Sequence, residues 1–200
     1  MRRQSLADRM PMRESVGSEV LALPRAARIV TVAVTALLAG LVLLRFGWAP
    51  ETPSFLVLPL FGVVLAMIDL RTRLLPNALL LPFAATTLVL LLASSGLSGD
   101  WNRLAGAALG GVAMFGIYLV LALVSPGSLG MGDVKLAAVL GLYGGYAGMT
   151  TWLATLLGGF LIGGLISVFL LLFTKASARS VFPFGPPMLA ACFAAIVAFG

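Results

Sequence analysis

The chain carries seven carboxylates, one cysteine and no histidine, and that inventory limits the chemistry it can do. Without imidazole there is no Ser-His or Cys-His nucleophile pair, no His-ligated zinc and no histidine general base. Cys192, alone within the last apolar run, excludes an internal disulfide and a CxxC zinc site. Acid–base chemistry falls to aspartate, glutamate, lysine or tyrosine. Asp8, Glu14 and Glu19 are scattered among six arginines near the N-terminus, whereas Asp69 and Asp133 are joined directly to long apolar runs. Two carboxylates held at one depth in a poorly hydrated place cannot both ionise cheaply, so they share a proton. One can then act as a base toward water while the other, protonated, polarises a carbonyl.

Each aspartate also has a plainer reading. Asp69 closes an apolar run at a helix C-terminus, facing the negative end of the macrodipole, a placement that costs roughly 0.3–1 kcal/mol. Arg71 and Arg73 are near enough to offset it, which makes Asp69 an interfacial anchor. Asp133 ends SLGMGD and opens VKLAAVLGLYGG, where it serves as a helix N-cap. Gly130 and Gly132 weaken that plain reading, because they permit unusual backbone and the close approach of another chain, useful for gripping a peptide. Pro183, Phe184, Gly185 and Pro186 form a stiff lead into the final run, either a helix start with prolines in its first turn or a fixed wall beside the aspartates.

The elements that position these residues belong in lipid. Of 200 residues, 60% are hydrophobic and 10% charged, against about 25% charged in soluble domains, and the mean hydropathy is +1.10. The fold class is all-α, a polytopic helical membrane protein. Segments are expected at roughly 29–46, 54–69, 77–95, 103–124, 133–145, 148–173 and 185–200. The second, fifth and seventh are short for a core of ~30 Å, so tilt, thinning or partial insertion is expected there. Residues 1–27 read as a flexible basic tail and 28–200 as one membrane domain. Pro76 halts one helix and Asn77 caps the next; Ser98-Gly99-Asp100 is a turn; Pro126 and Gly127 open a loop. Gly158, Gly159, Gly163 and Gly164 have the small-xxx-small spacing that permits close helix contact.

The net charge of +6 does not indicate nucleic acid, because the basic residues flank apolar segments. With the N-terminus inside and each segment crossing once, the inside loops and adjoining helix ends hold eleven of the thirteen basic residues; Arg45 and Arg103 are the exceptions. The positive-inside rule therefore supports seven crossings with a cytosolic N-terminus. That topology puts Asp69 and Asp133 at the cytosolic face, and Glu51 and Asp100 at the other.

The string from Asp69 through Arg71 to Pro76-Asn77, the string Gly130-Met131-Gly132-Asp133-Val134-Lys135, and the late Pro183-Phe184-Gly185-Pro186 together resemble the type IV prepilin peptidase family. The resemblance covers about residues 55–190, which would be a six-helix peptidase core preceded by an extra N-terminal helix. It implies an intramembrane aspartyl peptidase of the GxGD type that cleaves prepilin and pseudopilin leaders after a glycine, at the cytosolic face of the inner membrane. By that resemblance Asp69 and Asp133 match the catalytic pair, and Lys135, Arg71, Pro76, Asn77 and the glycines and prolines around them shape the site. The partners implied are a prepilin substrate helix and the bilayer; no metal, cofactor or nucleic acid is called for. The bifunctional members carry a cytosolic domain, often with paired CxxC zinc motifs, associated with N-methylation. One cysteine and short loops make this chain look like the peptidase-only form. The substrate helix is expected to slide against the small-residue surfaces of the fourth and sixth segments.

Two other classes compete. A small proton- or ion-coupled transporter predicts carboxylates near the bilayer middle and an inverted repeat, and no convincing repeat is visible. A non-catalytic subunit of a pilus or secretion machine would keep the fold and leave the aspartates apart.

Overall fold

The computed structural model describes residues 25–124, 129–173 and 183–200. The expected tail before Arg25, the loop at Pro126 and Gly127, and Lys175 and Arg179 lie outside them. The described residues form seven helices and no strands: α1 Arg25–Phe46, α2 Thr52–Thr72, α3 Asn77–Ser98, α4 Trp101–Val124, α5 Met131–Ala147, α6 Met149–Phe173 and α7 Gly185–Phe199. Each expected segment is present, and the chain is a polytopic helical membrane protein.

Boundaries moved where polar residues continue a helix that hydropathy alone would end. Residues 25–27, assigned to the tail, are the first turn of α1. At 21 residues, α2 is no longer a short segment, since it starts two residues earlier and runs past Asp69 to Thr72. Arg73 stops it in the left-handed region at φ 55° and ψ 30°, its N–H donating to the carbonyl of Asp69. Five helices are long and apolar enough to cross a membrane; α5, with 17 residues, and α7, with 15, are the short ones.

Helices α4 and α5 are the most closely packed pair, and glycine explains why. A Cβ on Gly106 would lie 2.7 Å from the carbonyl oxygen of Gly145, and one on Gly110 would lie 2.5 Å from that of Gly141. With no side chain between them, the backbones meet. Trp152 Nε1 on α6 locks the crossing by donating to the Gly110 carbonyl at 3.0 Å. Buried hydroxyls tie α5 to its other neighbours. Tyr143 donates to the Ser54 carbonyl at 3.0 Å and meets Thr87 at 2.9 Å, while Tyr146 meets Ser94 at 2.8 Å. Between helices in lipid such bonds average ~0.6 kcal/mol, so their gain is chiefly in fixing register.

The glycines of α6 are already occupied. A Cβ on Gly158 would meet Ala191, one on Gly159 would meet the Tyr118 hydroxyl and Met188, and one on Gly163 would lie 2.5 Å from the Phe184 ring. The small-residue faces of the fourth and sixth segments, where the substrate helix is expected, are thus largely taken up within the bundle: Gly106, Gly110 and Gly111 of α4 meet α5, three α6 glycines meet α4 or α7, and of the α4 four Gly116 is left open. Gly164 alone of the α6 four faces open space.

Candidate active site

Both aspartates sit at the same end of the bundle, one turn from a helix end. Asp69 is 3% exposed. Its carboxylate has no ion pair among the described residues; the one salt bridge there joins Arg103 to Glu51 at 3.0 Å. Arg71 and Arg73 are exposed and do not pair with it, against the plainer reading: Arg71 lies off its face of α2, and Arg73 has left the helix in the left-handed region. What compensates it is backbone. Gly185 N–H donates to Asp69 Oδ2 at 3.0 Å, so a carboxylate at the unfavourable end of α2 lies at the favourable, positive end of α7. A Cβ on Gly185 would be 2.7 Å from that same oxygen. Only glycine allows the approach.

Asp133 is not the N-cap of its plainer reading. Gly130 is the N-cap of α5, and Asp133 stands at the third helical position with Oδ2 accepting the Gly130 N–H at 3.1 Å. This is the acidic half of a capping box. Its other oxygen, Oδ1, is buried without a hydrogen-bond partner among the described residues. Each aspartate is thus held by one oxygen on a glycine N–H at a helix N-terminus.

Leu75 joins the two halves. A Cβ on Gly132 would lie 2.8 Å from Leu75 Cβ, and one on Gly185 would lie 3.6 Å from Leu75 Cδ1. The chain that Gly132 admits is therefore this protein's own loop after Asp69. It links the first turn of α5, which carries Asp133, to the start of α7, which holds Asp69. Pro76 precedes α3 as its N-cap in an extended conformation, and Asn77 is the first helical residue with no capping bond of its own, because its Oδ1 accepts from Lys135 Nζ at 2.9 Å. That bond ties the start of α3 to the first turn of α5. Pro186 and Pro187 fill the first turn of α7, and Pro183 and Phe184 lead into it. The proline stretch is the start of α7, and that start lies beside Asp69 through Gly185.

Sequence reasoning did not find Tyr118. It is fully buried on α4 with its hydroxyl unpaired among the described residues. Nor did it find a groove of about 510 Å³ between α3, α4 and α5, walled by residues such as Leu81, Ala84, Ala108 and Val112, with Asn77 and Lys135 at its mouth. No group of three or more His, Cys, Asp or Glu side chains is placed to hold a metal among the described residues.

Both carboxylates thus lie near helix ends at one end of a multi-pass bundle, each held by a glycine N–H. Residues 56–198 match the type IV leader peptidase family, and the chain belongs to that family. It is 32% identical over 163 residues to a prepilin leader peptidase/N-methyltransferase of Stutzerimonas stutzeri, covering 80% of this chain and 55% of that protein. Proteins of the same name from Pseudomonas aeruginosa and Bacillus subtilis are each 31% identical, over 82% and 78% of this chain and 55% and 60% of theirs. The chain spans about half the length of the curated relatives it matches. No solved structure matches it.

Proposed function

We propose that the chain is a prepilin-type leader peptidase in which Asp69 and Asp133 form an aspartic dyad, acting at the cytosolic face of the cell membrane on the peptide bond after a glycine. The observation that carries this reading is the pair itself: two aspartates from distant helices, each with one oxygen on a glycine N–H and drawn together around Leu75. The dyad shares one proton. The ionised member takes a proton from water, whose oxygen adds to the scissile carbonyl while the protonated member donates to the carbonyl oxygen. Collapse breaks the C–N bond, and the proton passes to the departing amine.

The precursor's apolar helix lies in the groove between α3, α4 and α5, with its leader boundary at Asn77 and Lys135, two residues along α5 from Asp133. The charge distribution of the loops supports cytosolic placement, and the curated relatives' name supports the substrate class. Incubating the purified protein with a prepilin-type precursor and weighing the products by mass spectrometry tests the proposal. One cut directly after the leader glycine is expected; an intact precursor under conditions where a relative cleaves it would reject the reading.

A further inference from the structure

Six buried side-chain oxygens lack a hydrogen-bond partner among the described residues: those of Thr52, Ser54, Ser95, Thr151, Tyr118 and Asp133. The first four belong to the end of the bundle near Glu51. Only Tyr118 and Asp133 belong to the end that carries the aspartates. Their proximity follows from register. Gly106 meets Gly145, Gly110 meets Gly141, and Gly111 meets the Ala138 carbonyl, so α4 and α5 run antiparallel in close contact. Tyr118 lies two turns beyond Gly111 on the same face of α4, and continuing that register brings it level with the first turn of α5, where Asp133 stands. No hydrogen bond joins Asp133 Oδ1 and the Tyr118 hydroxyl, and each is without a partner among the described residues.

The rest of Tyr118 is fixed from the other aspartate's side. Its ring stacks on Phe160 with centroids 5.2 Å apart and meets Phe184 at 6.4 Å. Phe184 immediately precedes Gly185, whose N–H holds Asp69. The hydroxyl packs beside α6, where a Cβ on Gly159 would lie 3.4 Å from it, at the level of the α5 first turn that carries Asp133. A buried hydroxyl left without a partner costs roughly 1–3 kcal/mol, and phenylalanine would fill the same packed space without that cost. A phenol is useful here only if something polar arrives in the gap.

We propose that Tyr118 is a third functional group of this site, its hydroxyl donating a hydrogen bond to the scissile carbonyl oxygen as that oxygen gains negative charge beside Asp133. This rests on the peptidase reading above. The donor is preorganised by its packing, and it acts on charge that exists only in the transition state. Removing it lowers turnover and leaves ground-state binding alone.

The test is Tyr118→Phe in the full chain, assayed with a prepilin-type precursor beside the unaltered protein. Loss of one such donor is expected to cut kcat on the order of a hundredfold, with KM within about threefold and thermal stability in detergent equal or higher. Wild-type kcat in Tyr118→Phe overturns the inference. Should that variant fail to accumulate, 3,5-difluorotyrosine at position 118 keeps ring and hydroxyl but makes the phenol more acidic. A kcat that changes at unchanged KM supports the inference, and kinetics equal to those of the unaltered protein overturn it. If the unaltered protein cleaves nothing, the peptidase reading fails; if it cleaves and Tyr118→Phe matches it, only the role of Tyr118 fails.

Discussion

Asp69 stands at the disfavoured end of its own helix, and the residue that makes this tolerable is a glycine more than a hundred positions away. The aspartates themselves were legible in the sequence: apolar flanks, the absence of histidine and the loop charges single them out and put them at one face. Their partners were not. A guanidinium beside a carboxylate is an obvious pair in a string of letters, whereas a backbone N–H has no letter. The available signal was Gly185 just ahead of Pro186-Pro187, which marks a helix N-terminus arriving at the same face as Asp69. Tyr118 was hidden for a similar reason, since a lone tyrosine in an apolar run reads as core until its hydroxyl is found without a partner. Gly185→Ala tests the residue-scale account. Its Cβ would sit 2.7 Å from Asp69 Oδ2, so the carboxylate must move, and a displacement of about 1 Å costs on the order of a hundredfold in rate. The steady-state cleavage rate should fall that far while the amount of protein in the membrane stays near normal. Unchanged activity would mean that the Gly185 bond does not position Asp69.

At the scale of elements, the helix count and order could be read from hydropathy, but the use of each face could not. Glycine spacing shows that a helix is able to pack closely and does not say against what. Gly106, Gly110 and Gly111 of α4 turned out to meet α5 while Gly116 is left open, and most of the glycines of α6 meet α7. The face left open is instead the groove beyond Lys135, bordered by the 72% exposed Val112. If a precursor helix occupies it, Val112→Trp should fill the groove and raise KM about tenfold for an apolar helix, with kcat for the bound precursor changed little. Equal kinetics for Val112→Trp and the unaltered protein would exclude this groove as the docking face. The distinction is measurable because Val112 faces away from the α4–α5 contact, so the substitution adds bulk without disturbing the glycine crossing that sets the depth of Asp133.

Across the whole molecule, the two basic residues that broke the positive-inside pattern each have structural work. Arg45 donates to the Val197 and Gly200 carbonyls at 3.1 and 2.7 Å, a cation at the negative end of α7. Arg103 pairs with Glu51 at 3.0 Å and lies 4.4 Å over the Tyr146 ring. Each is held by a structural partner at the end of the bundle opposite the aspartates. Single-cysteine labelling in intact cells checks the resulting topology, with buried Cys192 silent. Trp48→Cys should react with a membrane-impermeant maleimide from outside and Leu74→Cys only after the membrane is opened; the reverse pattern would put the aspartates on the wrong face for a cytosolic leader.

The central claim is that Asp69 and Asp133 work as one unit. Cleavage of a purified prepilin-type precursor should be measured for Asp69→Asn, Asp133→Asn and the double variant, each checked for normal accumulation and thermal stability. Each single variant is predicted to fall to background, and the double variant to be no worse than either, as for groups that act together. A single variant that folds normally and still cleaves at an appreciable rate would contradict the account.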